Sequence, residues 1–198
     1  MVGGGFGLVT LANNHSLDYE QLGLDETLGT LKSLGIVTVG AGSSSGNEQA
    51  HRPALFDLNG LRVAVLGYAA ARWNGSKDVP ATDRIAWAEP AAIQADVKAV
   101  REQSDFVVVL LHAGTEYAKE PSPDQVAAAR AAIDAGAELV VGHHPHVTQT
   151  VERYEQGLIV YSLGDAVFDI PRQDALRGHL LCIQITKEGL AGAELWPF

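Results

Sequence analysis

Cysteine is nearly absent from this sequence, since Cys182 is the only one among 198 residues. An internal disulfide is therefore excluded, and so is a metal site built from several cysteines. Long apolar runs are also absent, and none approaches the roughly 20 residues that a helix needs to cross a bilayer. We expect a chain without a membrane span, and the sequence leaves its compartment open.

Basic residues are scarce, with 14 Lys and Arg against 24 Asp and Glu and a formal net charge of -10. A nucleic-acid partner needs a basic surface that displaces counterions from the phosphates, so we expect no nucleic-acid binding. The chain is 46% hydrophobic, which is ordinary for a globular protein. At this length it can bury a core without a structural metal, so a bound metal would serve function rather than folding.

Apolar runs alternate with helical patterns, which predicts an α/β fold in one domain over residues 1–198. Asn59 and Gly60 between two such runs are typical of a type I′ hairpin turn. Ser122 and Gln125 form a capping box, which predicts the start of a helix. The predicted elements are strands over 6–12, 36–39, 54–58, 61–66, 106–111, 139–141, 158–163 and 180–185, helices over 20–34 and from 90 and 123 onward, and a long loop over 69–87. We expect the last two strands to belong to an antiparallel C-terminal part.

Three of the predicted strands are followed by histidine or asparagine side chains. In chain order these are Asn14 and His15, then His112, then His143, His144 and His146. Sites in open α/β sheets form outside the carboxyl ends of the strands, so we expect these side chains to share one crevice. Because imidazole is a good ligand for divalent transition metals, the pattern predicts a metal site there. A lone histidine such as His112 would carry no such prediction, whereas three histidines in four positions do.

The histidine cluster allows two arrangements. In an extended segment, His144 and His146 project from the same side, restrained by Pro145, and His143 points away behind them. In a curled loop, His143 and His146 become the pair instead. His51 and His179 have no comparable neighbours, so we expect them to be structural or exposed.

Four segments of the chain, 11–19, 111–117, 140–147 and 159–165, resemble motifs of the CapA family in the same order. These are proteins of capsule or poly-γ-glutamate biosynthesis, related to the calcineurin-like metallophosphoesterases. The resemblance spans nearly the whole chain. It implies a metallophosphatase-like (calcineurin-like) α/β sandwich that acts in the synthesis of such a polymer, on a small-molecule or polymer substrate and with partners of a capsule-synthesis complex.

The resemblance also implies roles for the residues at the strand ends. Asn14 matches a metal-bridging asparagine, His15 a histidine that assists the leaving group, and His112 a metal ligand after a central strand. Asp18 is expected mainly to lie at the start of the following helix. The implied cofactor is a divalent ion, Mn, Fe or Zn, and the implied chemistry is metal-assisted hydrolysis or transfer at a phosphoryl centre.

The final histidine pair of the family matches two of His143, His144 and His146. Glu116 and Tyr117 belong to a family motif near the substrate. The family is often membrane-associated or exported, and these motifs do not say where this chain resides.

Three departures from the family pattern bear on activity. Ala113 stands where the family usually has tryptophan, and Asp165 stands where it usually has asparagine, which would add a carboxylate near the site. No Asp, Glu or His precedes Asn13, although family members carry acidic residues in this region. We therefore expect an N-terminally truncated sandwich that binds metal weakly or at partial occupancy. A non-catalytic binding or assembly component and a generic metal-dependent phosphoesterase are the alternatives.

Overall fold

The computed structural model describes residues 2–43, 47–70, 83–169 and 172–198. Within these ranges the strands and longer helices are, in chain order, β1 (Leu8–Thr10), α1 (Glu20–Ser33), β2 (Val37–Val39), α2 (Asn47–Ala50), β3 (Ala54–Leu58), β4 (Leu61–Ala69), α3 (Pro90–Arg101), β5 (Phe106–His112), α4 (Pro123–Asp134), β6 (Leu139–His143), β7 (Val151–Tyr154), β8 (Gly157–Val160), β9 (His179–Thr186) and β10 (Gly189–Pro197). No helix in these ranges is long and apolar enough to cross a membrane.

A six-stranded sheet in the order β3-β4-β5-β6-β8-β7 forms the centre of the structure. Strands β4, β5, β6 and β8 are parallel, and β3 and β7 are antiparallel edge strands. All residues of β5 except Leu110 are buried, which suits a strand covered on both faces and explains its continuous apolar run. The parallel order brings the carboxyl ends of four strands to the same edge of the sheet.

Each face of this sheet has its own apolar core. Helices α3 and α4 cover one face, where Ile93 and Val97 of α3 are fully buried against β4 and β5 residues. The β9–β10 hairpin covers the other face through alternate residues of β9, such as Leu181 and Ile183, which pack near Phe106. The sheet is therefore sandwiched between a helical layer and a β layer.

A smaller unit, made of the parallel pair β1–β2 and helix α1, lies beside β4. Its core contains Leu24 of α1 and Ala69 at the end of β4. The buried guanidinium of Arg84 bonds the Gly42 carbonyl oxygen and forms an ion pair with Asp25 of α1. This packing carries the loop that follows β1 to the carboxyl edge of the large sheet.

Most predicted elements are found, with differences in extent. Helix α1 ends at Ser33 and is followed by Gly35 in a left-handed conformation, and Asn59 and Gly60 have positive φ in the β3–β4 turn. Strand β4 extends to Ala69 rather than to residue 66, and β1 is shorter than the predicted 6–12. Of the predicted loop over 69–87, residues 71–82 lie outside the described part.

The prediction of an antiparallel C-terminal part is wrong for the first of its two strands. Strand β8 pairs in parallel with β6 and completes the large sheet, with β7 antiparallel at its edge. Only β9 lies in a separate antiparallel pair, with β10. An apolar run does not reveal its pairing partner, because either direction buries the same residues.

We predict that Gly142→Ala strongly destabilises the fold, because a Cβ at this position of β6 would lie 2.0 Å from the carbonyl oxygen of Tyr161. Overpacking against backbone costs about 3 kcal/mol. Gly29→Ala in α1 is the matched control, since a Cβ there meets nothing within 4 Å, and helix propensity should raise stability by about 1 kcal/mol. Urea denaturation measures both changes, and equal effects of the two substitutions would contradict the prediction.

Candidate metal centre

The central contact of the site joins Asn14 and His112, which are 98 residues apart. Nε2 of His112, at the end of β5, lies 2.9 Å from Oδ1 of Asn14, in the loop after β1. Both side chains are buried. The amide oxygen can only accept, so the His112 ring donates this bond from Nε2 and leaves Nδ1 without a proton.

Three further histidines surround this contact. His143 ends β6 in register with His112, and their ring centroids are 4.9 Å apart. The His144 ring lies 4.6 Å from that of His112 and 6.2 Å from that of His146. His144 and His146 have φ values of 104° and 59°, so the segment is a curled loop and not extended. The structure thus brings together all the histidines that the strand-end pattern selected.

Two carboxylates orient histidines of this group. Nδ1 of His146 lies 2.9 Å from Oδ1 of Asp165, and Nδ1 of the more exposed His15 lies 2.8 Å from Oδ2 of Asp18. Each carboxylate accepts from Nδ1 and directs the opposite nitrogen, Nε2, away from itself. Asp18 lies at the start of α1 as expected, directly before the N-cap Tyr19, and it also contacts His15. The three-residue spacing of His15 and Asp18 within a turn is the sequence signal that could have predicted this contact.

Burial keeps the inner histidines neutral. It lowers the pKa of His143 and of His144 from 6.5 to about 4, and it lowers the pKa of His112 well below its ordinary range, with the neighbouring imidazoles adding to the effect. The carboxylate of Glu116 opposes this shift at His144. Neutral imidazole is the form that binds a metal ion.

The donor set fits a divalent metal by chemistry, although the described residues do not enclose an ion. Nδ1 of His112, Nε2 of His143 and Oδ2 of Asp165 are buried without a hydrogen-bond partner in the described part, and such atoms call for an explanation. Two ligands of one ion with bonds of about 2.1 Å stand about 3 Å apart, as Asn14 Oδ1 and His112 Nε2 do, and an ion bound between them would replace the proton on Nε2. Among the described residues, however, no three His, Cys, Asp or Glu side chains form a group that could hold a metal ion.

The loop after β5 lies against the histidine loop. The Tyr117 amide donates to the Pro145 carbonyl oxygen over 2.8 Å, and the Tyr117 ring lies 5.9 Å from that of His146. Tyr117 adopts φ 62°, which is unusual for a bulky residue. The predicted substrate-region residues Glu116, Tyr117 and Asp165 are thus all near the cluster.

Two residues near the site, Phe168 and Arg172, were not selected by any sequence pattern. The ring of Phe168 lies 4.8 Å from that of His146, and the guanidinium of Arg172 lies 4.2 Å from the Tyr117 centroid. Ala113 is fully buried in the helix-side core, so the position that usually carries tryptophan contributes no side chain to the site. His51 contacts Asp96 instead of the cluster.

A family model described as bacterial capsule synthesis protein PGA_cap matches residues 1–170. The capsule biosynthesis protein CapA of Bacillus anthracis is 38% identical over 172 residues, which are 83% of this chain and 41% of that protein. The PGA biosynthesis protein CapA of Bacillus subtilis (strain 168) is 33% identical over 192 residues, 97% of this chain and 50% of that protein. The resemblance seen in the motifs is confirmed, and the chain spans about half the length of the curated relatives it matches.

Solved structures with the same fold include a hypothetical protein from Thermus thermophilus, with a TM-score of 0.65 and 17% identity over 99% of this chain and 77% of that chain. The NAD nucleotidase of Haemophilus influenzae has a TM-score of 0.62 and 16% identity over 98% of this chain and 39% of that chain. Identities this low describe the fold alone. They confirm the expected metallophosphatase-like α/β sandwich.

We predict that the metal-free protein loses stability as the pH falls below 6.5. The unfolded histidines protonate near 6.5, whereas His143 and His144 in the folded state do so only near pH 4. Between these values the unfolded chain binds more protons, so acid favours unfolding. Urea denaturation at about pH 7.5, 6 and 5 measures the slope, which His144→Asn should reduce. A stability that does not change over this range would contradict the assigned burial.

Proposed function

Because the chain belongs to the bacterial capsule synthesis protein family, we propose that it carries a metallophosphoesterase-type centre that acts during the synthesis of a capsule polymer. The observation that carries the proposal is the buried Asn14–His112 contact inside a group of neutral imidazoles. The substrate class we propose is a phosphoryl ester of a small molecule or of the growing polymer.

Asn14, His112, His144 and His146 are the proposed ligands. A curled loop was expected to pair His143 with His146; we favour His144 instead, because its ring lies close to those of both His112 and His146. Asp165 supports His146 as a ligand, since its bond to Nδ1 leaves Nε2 to face the ion. His143, at the end of β6, packs beside His112 as support.

A divalent ion held there (Mn, Fe or Zn) would polarise a phosphoryl oxygen and lower the pKa of a bound water. The chain's own residues contribute the rest. His15, oriented by Asp18, donates a proton from Nε2 to the leaving oxygen. Glu116 and Tyr117 form one wall beside His144 and His146, where they contact the substrate.

A second candidate function is a metal-independent binding or assembly component. It is favoured by the lack, within the described ranges, of three His, Cys, Asp or Glu side chains grouped to hold an ion. The proposed ligand set includes three imidazoles, so in the described arrangement it does not meet that criterion, and these rings must move closer together to hold an ion. The two candidates differ in one measurable property, the binding of a divalent ion.

We predict that the protein binds one equivalent of Mn²⁺ and that His112→Ala reduces the affinity at least about tenfold, in line with the loss of a ligand or its support. Equilibrium dialysis with elemental analysis measures the bound ion. His179→Ala is the control, since His179 begins β9 outside the cluster. Absence of Mn²⁺ binding by the unaltered protein would reject the metal centre and favour the binding component.

We further predict that Asp18→Asn lowers the kcat of phosphoester hydrolysis by about tenfold to hundredfold, because an amide orients His15 less well and supports its charged form less. His15→Asn should cost at least as much. Neither substitution should change Mn²⁺ affinity, since neither residue is a proposed ligand. Activity on p-nitrophenyl phosphate at saturating Mn²⁺ provides the rates, and a fall in metal affinity that matches the fall in rate would contradict the role of proton donor.

A further inference from the structure

Two glutamines are buried behind the candidate metal centre, where the sequence pattern predicted only one helix start. Gln125, in the first turn of α4, is fully buried, and Gln149, three residues after His146, is 8% exposed. Nε2 of Gln125 donates to Oε1 of Gln149 over 3.0 Å. Buried carboxamides are retained only where their polar atoms are bonded.

The hydrogen bonds of this amide pair account for all four of its side-chain N–H groups. Nε2 of Gln125 also donates to the Tyr161 carbonyl oxygen over 2.8 Å. Nε2 of Gln149 donates to the carbonyl oxygens of Ala118 over 2.9 Å and of Glu120 over 3.2 Å. A carboxamide provides two donors and one acceptor in one plane, so neither glutamate nor leucine can replace it here.

These bonds join the two loops that form the site. Ala118 and Glu120 lie one and three residues after Tyr117 in the loop after β5, whereas Gln149 belongs to the loop that carries His144 and His146. Gly114, at the start of the first loop, packs directly against the amide pair, because a Cβ at this position would be 2.6 Å from Oε1 of Gln125. Two backbone bonds, from the Ala113 amide to the His143 carbonyl oxygen and from the Tyr117 amide to the Pro145 carbonyl oxygen, run between the same loops.

We propose that Gln125 and Gln149 are positioning residues, which fix the loop of Glu116 and Tyr117 at its distance from His144 and His146. They touch neither the proposed ion nor the proposed substrate and act only through the backbone of the two loops. The proposal rests on the proposed function in one respect, that the histidine cluster is the metal centre. The amide pair thereby makes the wall and the ligands one rigid unit.

The test is Gln149→Glu, which keeps the shape of the side chain but leaves at most one of the two donated bonds to the loop after β5. We expect Mn²⁺ affinity to fall about tenfold and amide hydrogen exchange at Tyr117 to accelerate at least about tenfold. Ser104→Ala is the matched control, because it removes a buried bond to the Val100 carbonyl oxygen at the opposite end of β5. Its Mn²⁺ affinity and its Tyr117 exchange should equal those of the unaltered protein.

Hydrogen exchange in the metal-free protein separates the two proposals. Accelerated exchange at Tyr117 in Gln149→Glu supports the positioning role even if the unaltered protein binds no Mn²⁺, a result that overturns only the proposed function. If Gln149→Glu shows the same Tyr117 exchange and the same Mn²⁺ affinity as Ser104→Ala, the positioning role is wrong. If Gln149→Glu fails to fold, Gln149→Ala takes its place, because the smaller side chain admits water to the two carbonyl oxygens.

Discussion

The parallel register of β5 and β6 is the constraint on which the site depends. It places His112 beside His143, and the backbone bond from Ala113 to His143 continues the ladder by one further residue. Every other contact of the site follows from that edge, since Asn14 reaches His112 from one side and the curled loop returns His144 to it from the other. A shift of β6 by one residue relative to β5 would turn the His143 ring to the face of the sheet opposite to the His112 ring.

The site gains its chemistry from burial that weakens the fold. Burial holds His143 and His144 in the neutral form. A core built for stability alone would hold apolar side chains such as leucine there, which have no polar atoms to desolvate. Buried acceptors such as Nδ1 of His112 have no hydrogen-bond partner among the described residues, and each such atom costs about 1–3 kcal/mol. Buried polar atoms that destabilise the fold at the end of a sheet are typical of a functional centre. The apolar cores on the two faces of the sheet offset this loss of stability.

The sequence predicted the fold class and the meeting of His112 with His143, because the carboxyl ends of parallel strands lie at one edge of a sheet. It also predicted that Asn14 shares this crevice, although β1 pairs with β2 in a separate sheet and not with β5. It did not predict which strand β8 would join, nor the contact of Asp18 with His15, since both depend on directions that an apolar or acidic residue does not encode. The hydrogen bonds of the buried Gln149 amide could not be predicted from the sequence for another reason. Its partners lie 24 to 31 residues away and are mostly backbone carbonyl groups, which every residue possesses.

Asn14 and His15 reach the site on the small β1–β2 and α1 unit, whose core around Leu24 is separate from the two cores of the large sheet. Opening of that unit alone would remove Asn14 from His112 while leaving β5 and β6 paired. Any ligand that binds Asn14 and His112 together therefore binds only the closed form, and its free energy of binding is shared with the docking of the unit. Ligand affinity and the local unfolding equilibrium of residues 8–39 are consequently two measures of one thermodynamic linkage.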